Sequence, residues 1–283
     1  MNKLTKGLLG ATLAITVFIA ALPTVVHKAG LHPEYTGEVT TLPQGKRALV
    51  ITTSHGFLSM PGEAEGKASG VAASEMTHPY YNFLEAGMEV DIASIKGGQI
   101  PVDPQTLNFV IRSPLDERYM EDTVLLEKVA NSLAIENVDF NQYDAIFVAG
   151  GWGAAYDLGQ SKVLGQKISE AFYSKKAPVL GSVCHGALGF IQAKDKDGKL
   201  LIAGRNMTGV TDKQVKELGI EVTPLHPETE LRKAGAIFSS QTKFRDFLAT
   251  SVVIDQEQRF VTGQNQNSGH DTAQAMLALI SKR

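Results

Sequence analysis

A single cysteine, Cys184, stands in the 283 residues, so no internal disulfide can staple the fold. Charge of one sign is also lacking: the net charge is -3, and no Lys/Arg cluster resembles a nucleic-acid patch. The histidines show no close metal-ligand pairing, so no metal is expected. Gly150-Gly151-Trp152-Gly153 lacks the Gly-Lys-Ser/Thr ending of a phosphate loop. Internal repeats and low-complexity tracts are missing as well. What remains, with 43% hydrophobic and 20% charged residues, is the composition of an ordinary globular chain.

The N-terminus reads differently. Lys3 and Lys6 precede a charge-free run from Gly7 to Val26. That pattern predicts a signal peptide or a retained membrane anchor over residues 1–27. The expected location is therefore exported, membrane-anchored or secreted, with Lys3 and Lys6 inside and the remainder outside. Residues 28–45, broken by Pro33, Gly37, Pro43 and Gly45, read as a linker into a domain spanning 46–283. A lone cysteine in an oxidising compartment is either deeply protected or kept for its reactivity.

Within that domain, short apolar runs alternate with helical spacing. Arg47–Thr53, Met88–Ala93, Tyr143–Ala149 and Pro178–Val183 read as buried parallel strands. Helices are predicted over 71–86, 121–133 and 164–173. Leu200–Gly209 looks strand-like, residues 251–255 and 258–262 are spaced for a hairpin, and an amphipathic helix closes the chain over about 270–281. The fold class is α/β: a parallel-rich sheet sandwiched by helices, whose ligands gather at the carboxyl ends of the strands.

Gly150-Gly151-Trp152-Gly153 and Cys184-His185-Gly186 both fall at that edge. Val183 into Gly186 reads as strand, sharp turn and helix with Cys184 at the apex, a cousin of the nucleophile elbow. A helix N-terminus there is expected to lower the thiol pKa. His185 is the adjacent base. Glu75, on the first helix, is placed to hold a proton or donate a hydrogen bond. Asp212 either orients the histidine, as in a triad, or caps a helix. Backbone N–H groups around Gly151, Gly153 and Gly186 are candidates for an oxyanion site, with Trp152 in the pocket wall.

At these residues the chain resembles the ThiJ/PfpI superfamily, which has a class I glutamine amidotransferase-like, flavodoxin-like fold. The resemblance covers most of Lys46 to Arg283 and is nearest the branch of glyoxalase III enzymes and heat-shock chaperones. Ser74-Glu75-Met-Thr-His78-Pro79, Gly97 through Pro104, Gly150-Gly-Trp-Gly, Val183-Cys-His-Gly186, Thr208-Gly209 through Asp212, and Val261 through Asn267 carry it. It implies a Glu75–Cys184 pair, His185 beside it, and Asp212 as the acidic third member by its spacing from the cysteine. The branch has Gly-Gly-His-Gly where this chain has Trp152.

The resemblance implies cofactor-free conversion of methylglyoxal or related 2-oxoaldehydes to 2-hydroxy acids through a cysteine nucleophile. Two other classes are kept open. One is a stress chaperone or redox sensor without turnover, in which Cys184 is oxidised. The other is a cysteine amidohydrolase, for which His226-Pro227-Glu228 is a tempting string, read here as chance because it follows the cysteine too closely. A small aldehyde is the expected partner, nucleic acid is not, and a membrane tether and a homodimer are both allowed.

Overall fold

The computed structural model describes residues 3–283 apart from 61 and 64, with no side chains described for 3–11, 13 and 14. Seven strands form its central sheet: β1 (Arg47–Thr52), β2 (Glu89–Ser94), β3 (Leu133–Ala134), β4 (Ala145–Val148), β5 (Val179–Val183), β6 (Val252–Ile254) and β7 (Phe260–Gly263). Their order is β6-β7-β5-β4-β1-β2-β3, parallel throughout except for the antiparallel β6–β7 hairpin. This is the helix-flanked, parallel-rich sheet that the alternating pattern predicts.

Strand geometry explains the two cores. Successive side chains point to opposite faces, so Ala48 and Val50 of β1 enter one buried cluster while Leu49 and Ile51 enter the other. Ala145 and Phe147 of β4 likewise part from Ile146 and Val148. Strands apolar on both faces need helices on both. Two long ones cover the first face, one over Ala73–Glu85 and one over Gly269–Ile280. The helix over Lys162–Phe172, the turns after β5 and the helix over Pro227–Lys233 cover the second.

Three local expectations are revised. The helix predicted over 121–133 is shorter, Thr123–Ala130, and a separate helix, Pro114–Glu121, precedes it; the Asp122 side chain accepts from the Val124 and Leu125 N–H groups and caps the second. Leu200–Gly209 is mostly turns, with only Asn206–Met207 pairing in parallel with Ile237–Phe238. The stretch after Cys184 is a 3-10 helix, Cys184–Phe190, and not an α-helix.

The N-terminal segment brings a larger correction. A helix runs from Lys3 to Lys28, straight through Pro23, and among the described residues no helix is long and apolar enough to cross a membrane. The expected anchor, and with it the exported location, is not borne out. Residues 28–45 are tied to the domain. Asn267 clamps them, its Oδ1 accepting from the His32 N–H at 2.8 Å and its Nδ2 donating to the Gly30 carbonyl at 2.7 Å. Farther on, the Thr40 N–H donates to Gln274 and the Leu42 N–H to the Ala86 carbonyl.

Candidate active site

Three pieces of backbone converge at the carboxyl edge of the sheet. The chain leaves β5 at Val183 and turns sharply at Cys184, whose φ of 56° lies in the left-handed region. A residue with a Cβ pays roughly 1–2 kcal/mol for that conformation, so the surrounding packing must hold it. Gly186 allows the turn: a Cβ there would collide with the carbonyl oxygen of Val148 at the end of β4. The neighbouring strand end supplies Gly150 and Gly151, and Gly151, with φ 93°, lies too close to the Ala72 backbone to carry a side chain. Glu75 arrives on the first turn of the Ala73–Glu85 helix, where Thr106 Oγ1 accepts from the Ala73 N–H in place of a local cap.

Cys184, His185 and Glu75 are all buried, with exposures of 1%, 0% and 2%. The Glu75 carboxyl meets the Cys184 sulfur and the N–H groups of Gly150 and Gly151. Burial dominates its titration, lifting its pKa from 4.5 to about 8 against the opposing pull of the thiol and the two N–H groups. Glu75 is therefore a protonated acid at neutral pH. Burial also pushes the Cys184 thiol up, a charged Glu75 would push it further, and the His185 and Gly151 N–H groups only partly offset this. The expected lowering by a helix N-terminus does not prevail, since a short 3-10 turn aligns few peptide dipoles and desolvation is the larger effect.

The base is in place. His185 Nδ1 lies 3.5 Å from Cys184 Sγ. Burial, then the nearby His226, lowers the His185 pKa to about 3, so the resting imidazole is neutral. Trp152 stands edge-on to it, with ring centroids 5.4 Å apart and planes at 90°.

Asp212 is not joined to His185 by a hydrogen bond. It opens a short helix, Asp212–Glu217, for which Thr211 is the cap. Its Oδ2 accepts from the Thr229 hydroxyl at 2.7 Å and its N–H donates to Glu228. Asp212 Oδ1, His185 Nε2 and His226 Nε2 are each buried without a partner. The His226-Pro227-Glu228 string is thus tied into the surroundings of His185 and Asp212, although it is not an amidotransferase pair on the cysteine.

A cavity of about 290 Å³ opens beside this cluster, bounded by Glu75, Gly151 and Trp152 on the catalytic side. Leu31, His32, Ile111, Leu218 and Phe247 form another part of its wall. None of these five is marked by the motif pattern. Leu31 and His32 belong to the segment read as linker, and apolar residues scattered over distant loops carry no local signal. No group of three or more His, Cys, Asp or Glu able to hold a metal ion occurs among the described residues.

An α/β sheet bearing a strained cysteine elbow, with an acid and a neutral histidine at its sulfur, defines a flavodoxin-like protein of the cysteine-elbow class. The DJ-1/PfpI family model matches residues 67–279, and the chain belongs to that family. It is 30% identical over 228 residues to Glyoxalase 3 of Candida albicans, covering 76% of this chain and 91% of that one. It is 28% identical to the glutathione-independent glyoxalase HSP31 of Saccharomyces cerevisiae, covering 81% and 95%. Among solved structures, the Rapid Encystment Protein of 24 kDa from Francisella tularensis superimposes with a TM-score of 0.74 at 30% identity, covering 83% and 99%. Glyoxalase III from Candida albicans does so with 0.73 at 25%, covering 83% and 98%.

Proposed function

We propose that this protein is a glutathione-independent glyoxalase of the glyoxalase III type, converting 2-oxoaldehydes such as methylglyoxal to 2-hydroxy acids without a cofactor. The observation that carries the reading is the pairing of a protonated Glu75 and a neutral His185 on one cysteine sulfur. The glyoxalase names of the relatives support the same chemistry.

Cys184 adds to the aldehyde carbon as its proton passes to His185 Nδ1. The N–H groups of Gly151 and His185, both aimed at the sulfur, stabilise the oxygen that becomes charged. Protonation of that oxygen gives a hemithioacetal. Glu75 then donates its proton to the ketone oxygen while the C1 hydrogen leaves to a base, forming an enediol. Return of a proton to C2 leaves a thioester beside a hydroxyl group. Water attacks the thioester, the C–S bond breaks, and the 2-hydroxy acid departs as the thiol is restored. C1 is oxidised and C2 reduced, so the sum is the addition of one water and no external redox partner is needed.

The test is formation of lactate from methylglyoxal by the purified chain and by Cys184→Ala. Wild type should produce it without glutathione and the variant should not. Equal product from both would end the cysteine mechanism, and none from wild type would end the glyoxalase reading.

A further inference from the structure

The cavity beside Cys184 is larger and more apolar than a three-carbon aldehyde requires. Its volume, about 290 Å³, approaches the roughly 300–1,000 Å³ of ordinary small-molecule pockets. Leu31, Ile111, Trp152, Leu218 and Phe247 supply apolar wall. Several polar groups of the lining are already used inside the protein. Thr106 Oγ1 accepts from the Ala73 N–H and donates to the Asp103 carbonyl. Asp103 accepts from Ser69 and from the Gln105 N–H, and Gln266 Nε2 donates to the Phe247 carbonyl. His32 Nε2 is bonded to the Ile111 carbonyl at 3.0 Å, and burial lowers the His32 pKa to about 4, leaving the ring uncharged. On the catalytic side the wall is Glu75 and Gly151, the groups that face the sulfur.

The outer wall is a built feature. Leu31 is buried at 6% exposure, and His32 is held at φ 47°, a strained conformation for a residue with a side chain. The two hydrogen bonds from Asn267 to Gly30 and His32 and the bond from His32 to Ile111 fix this strap over the cavity. Trp152 lies edge-on against His185 and lines the same cavity.

We infer that the strap residues Leu31 and His32, with Ile111, Trp152, Leu218 and Phe247, form a subsite for an apolar substituent, and that the preferred substrates are 2-oxoaldehydes carrying an aryl or branched alkyl group. This rests on the glyoxalase reading for the reaction, but not for the binding. The dicarbonyl head meets Glu75 and the Gly151 N–H, and the substituent displaces water from the apolar wall. Burial of an apolar group in such a wall typically separates homologous ligands by about tenfold or more.

Two measurements test it. Phenylglyoxal and methylglyoxal are compared as substrates by kcat/KM, and mandelate and lactate are titrated as non-reacting probes by quenching of Trp152, the sole tryptophan. Phenylglyoxal should be favoured by at least about tenfold, with the difference in KM, and mandelate should bind more tightly than lactate by a similar factor. Leu31→Ser should remove both preferences, and Leu218→Ser, at an exposed wall position, should reduce them even if the strap variant fails to fold. Equal affinities for the two acids, no quenching by mandelate, or an intact preference in Leu218→Ser and Leu31→Ser overturns the subsite. Preferred mandelate binding without turnover of either aldehyde would uphold the subsite and defeat the glyoxalase reading. Methylglyoxal turnover without any preference would do the reverse.

Discussion

The Glu75 carboxyl lies against the Cys184 sulfur, and burial makes the carboxyl, not the thiol, the group whose titration falls near neutrality. The acid sits on the first turn of a helix and the thiol at a strand end, and nothing local joins them.

That relationship sets the pH dependence. The Glu75 pKa is raised from 4.5 to about 8, so between these values the folded protein holds a proton that the unfolded chain has lost. Stability tied to Glu75 is full below 4.5 and declines as pH rises towards 8. Denaturant midpoints measured from pH 5 to 8 should therefore fall less in Glu75→Gln than in wild type. Turnover should show the same group: kcat/KM drops above about pH 8 in wild type, and Glu75→Gln loses roughly 10²–10⁴-fold in kcat.

Acid acts on the histidines with the opposite sign. Burial lowers the pKa of His185 to about 3 and of His32 to about 4, and takes His78 well below its usual 6.5. The unfolded chain gains these protons first, so stability is lost as pH falls below 6.5. Each buried neutral histidine should contribute a slope of about 1.4 kcal/mol per pH unit in the window above its folded pKa. Urea unfolding between pH 6.5 and 4.5 checks this, and His32→Gln should flatten the slope by the share of one proton.

The elbow is sterically closed at Gly186. Its replacement by alanine drives a methyl group into the Val148 carbonyl, and the Cys184 backbone must move. Gly186→Ala should cost about 1–3 kcal/mol in thermal or chemical unfolding and remove activity out of proportion to that loss. Normal turnover by a folded variant would show that the elbow tolerates displacement.

The strap depends on one side chain. Asn267→Ala removes two hydrogen bonds, to Gly30 and His32, at about 0.5–1.5 kcal/mol each. Hydrogen exchange should accelerate over residues 30–33 while the central strands keep their protection. If the exchange of that segment is unchanged, the clamp is not what holds the strap.

Much of the centre of this protein was legible in the chain. The continuous apolar runs of β1 and β4, the turn residues around Cys184 and the adjacent histidine are local, and local pattern suffices for them. Glu75 became readable through its motif, although its proton did not, because a pKa of about 8 comes from burial that only packing creates. The N-terminal run misled for a related reason. Its basic start and charge-free stretch match export signals, but among the described residues no helix is long and apolar enough to cross a membrane, and Gly30 and His32 just beyond it are clamped by Asn267.

The sequence by itself determined the alternation of strands and helices and the cysteine at the tip of β5, since both follow from short-range sterics and hydrophobic spacing. Tertiary structure decided which groups share the cavity. Leu31, Ile111, Leu218 and Phe247 meet around it from separate stretches of chain, and Asp212 bonds to Thr229 rather than to His185. Desolvation depends on every neighbour at once, so the charge states of Glu75, Cys184 and His185 arose only when the chain closed over them.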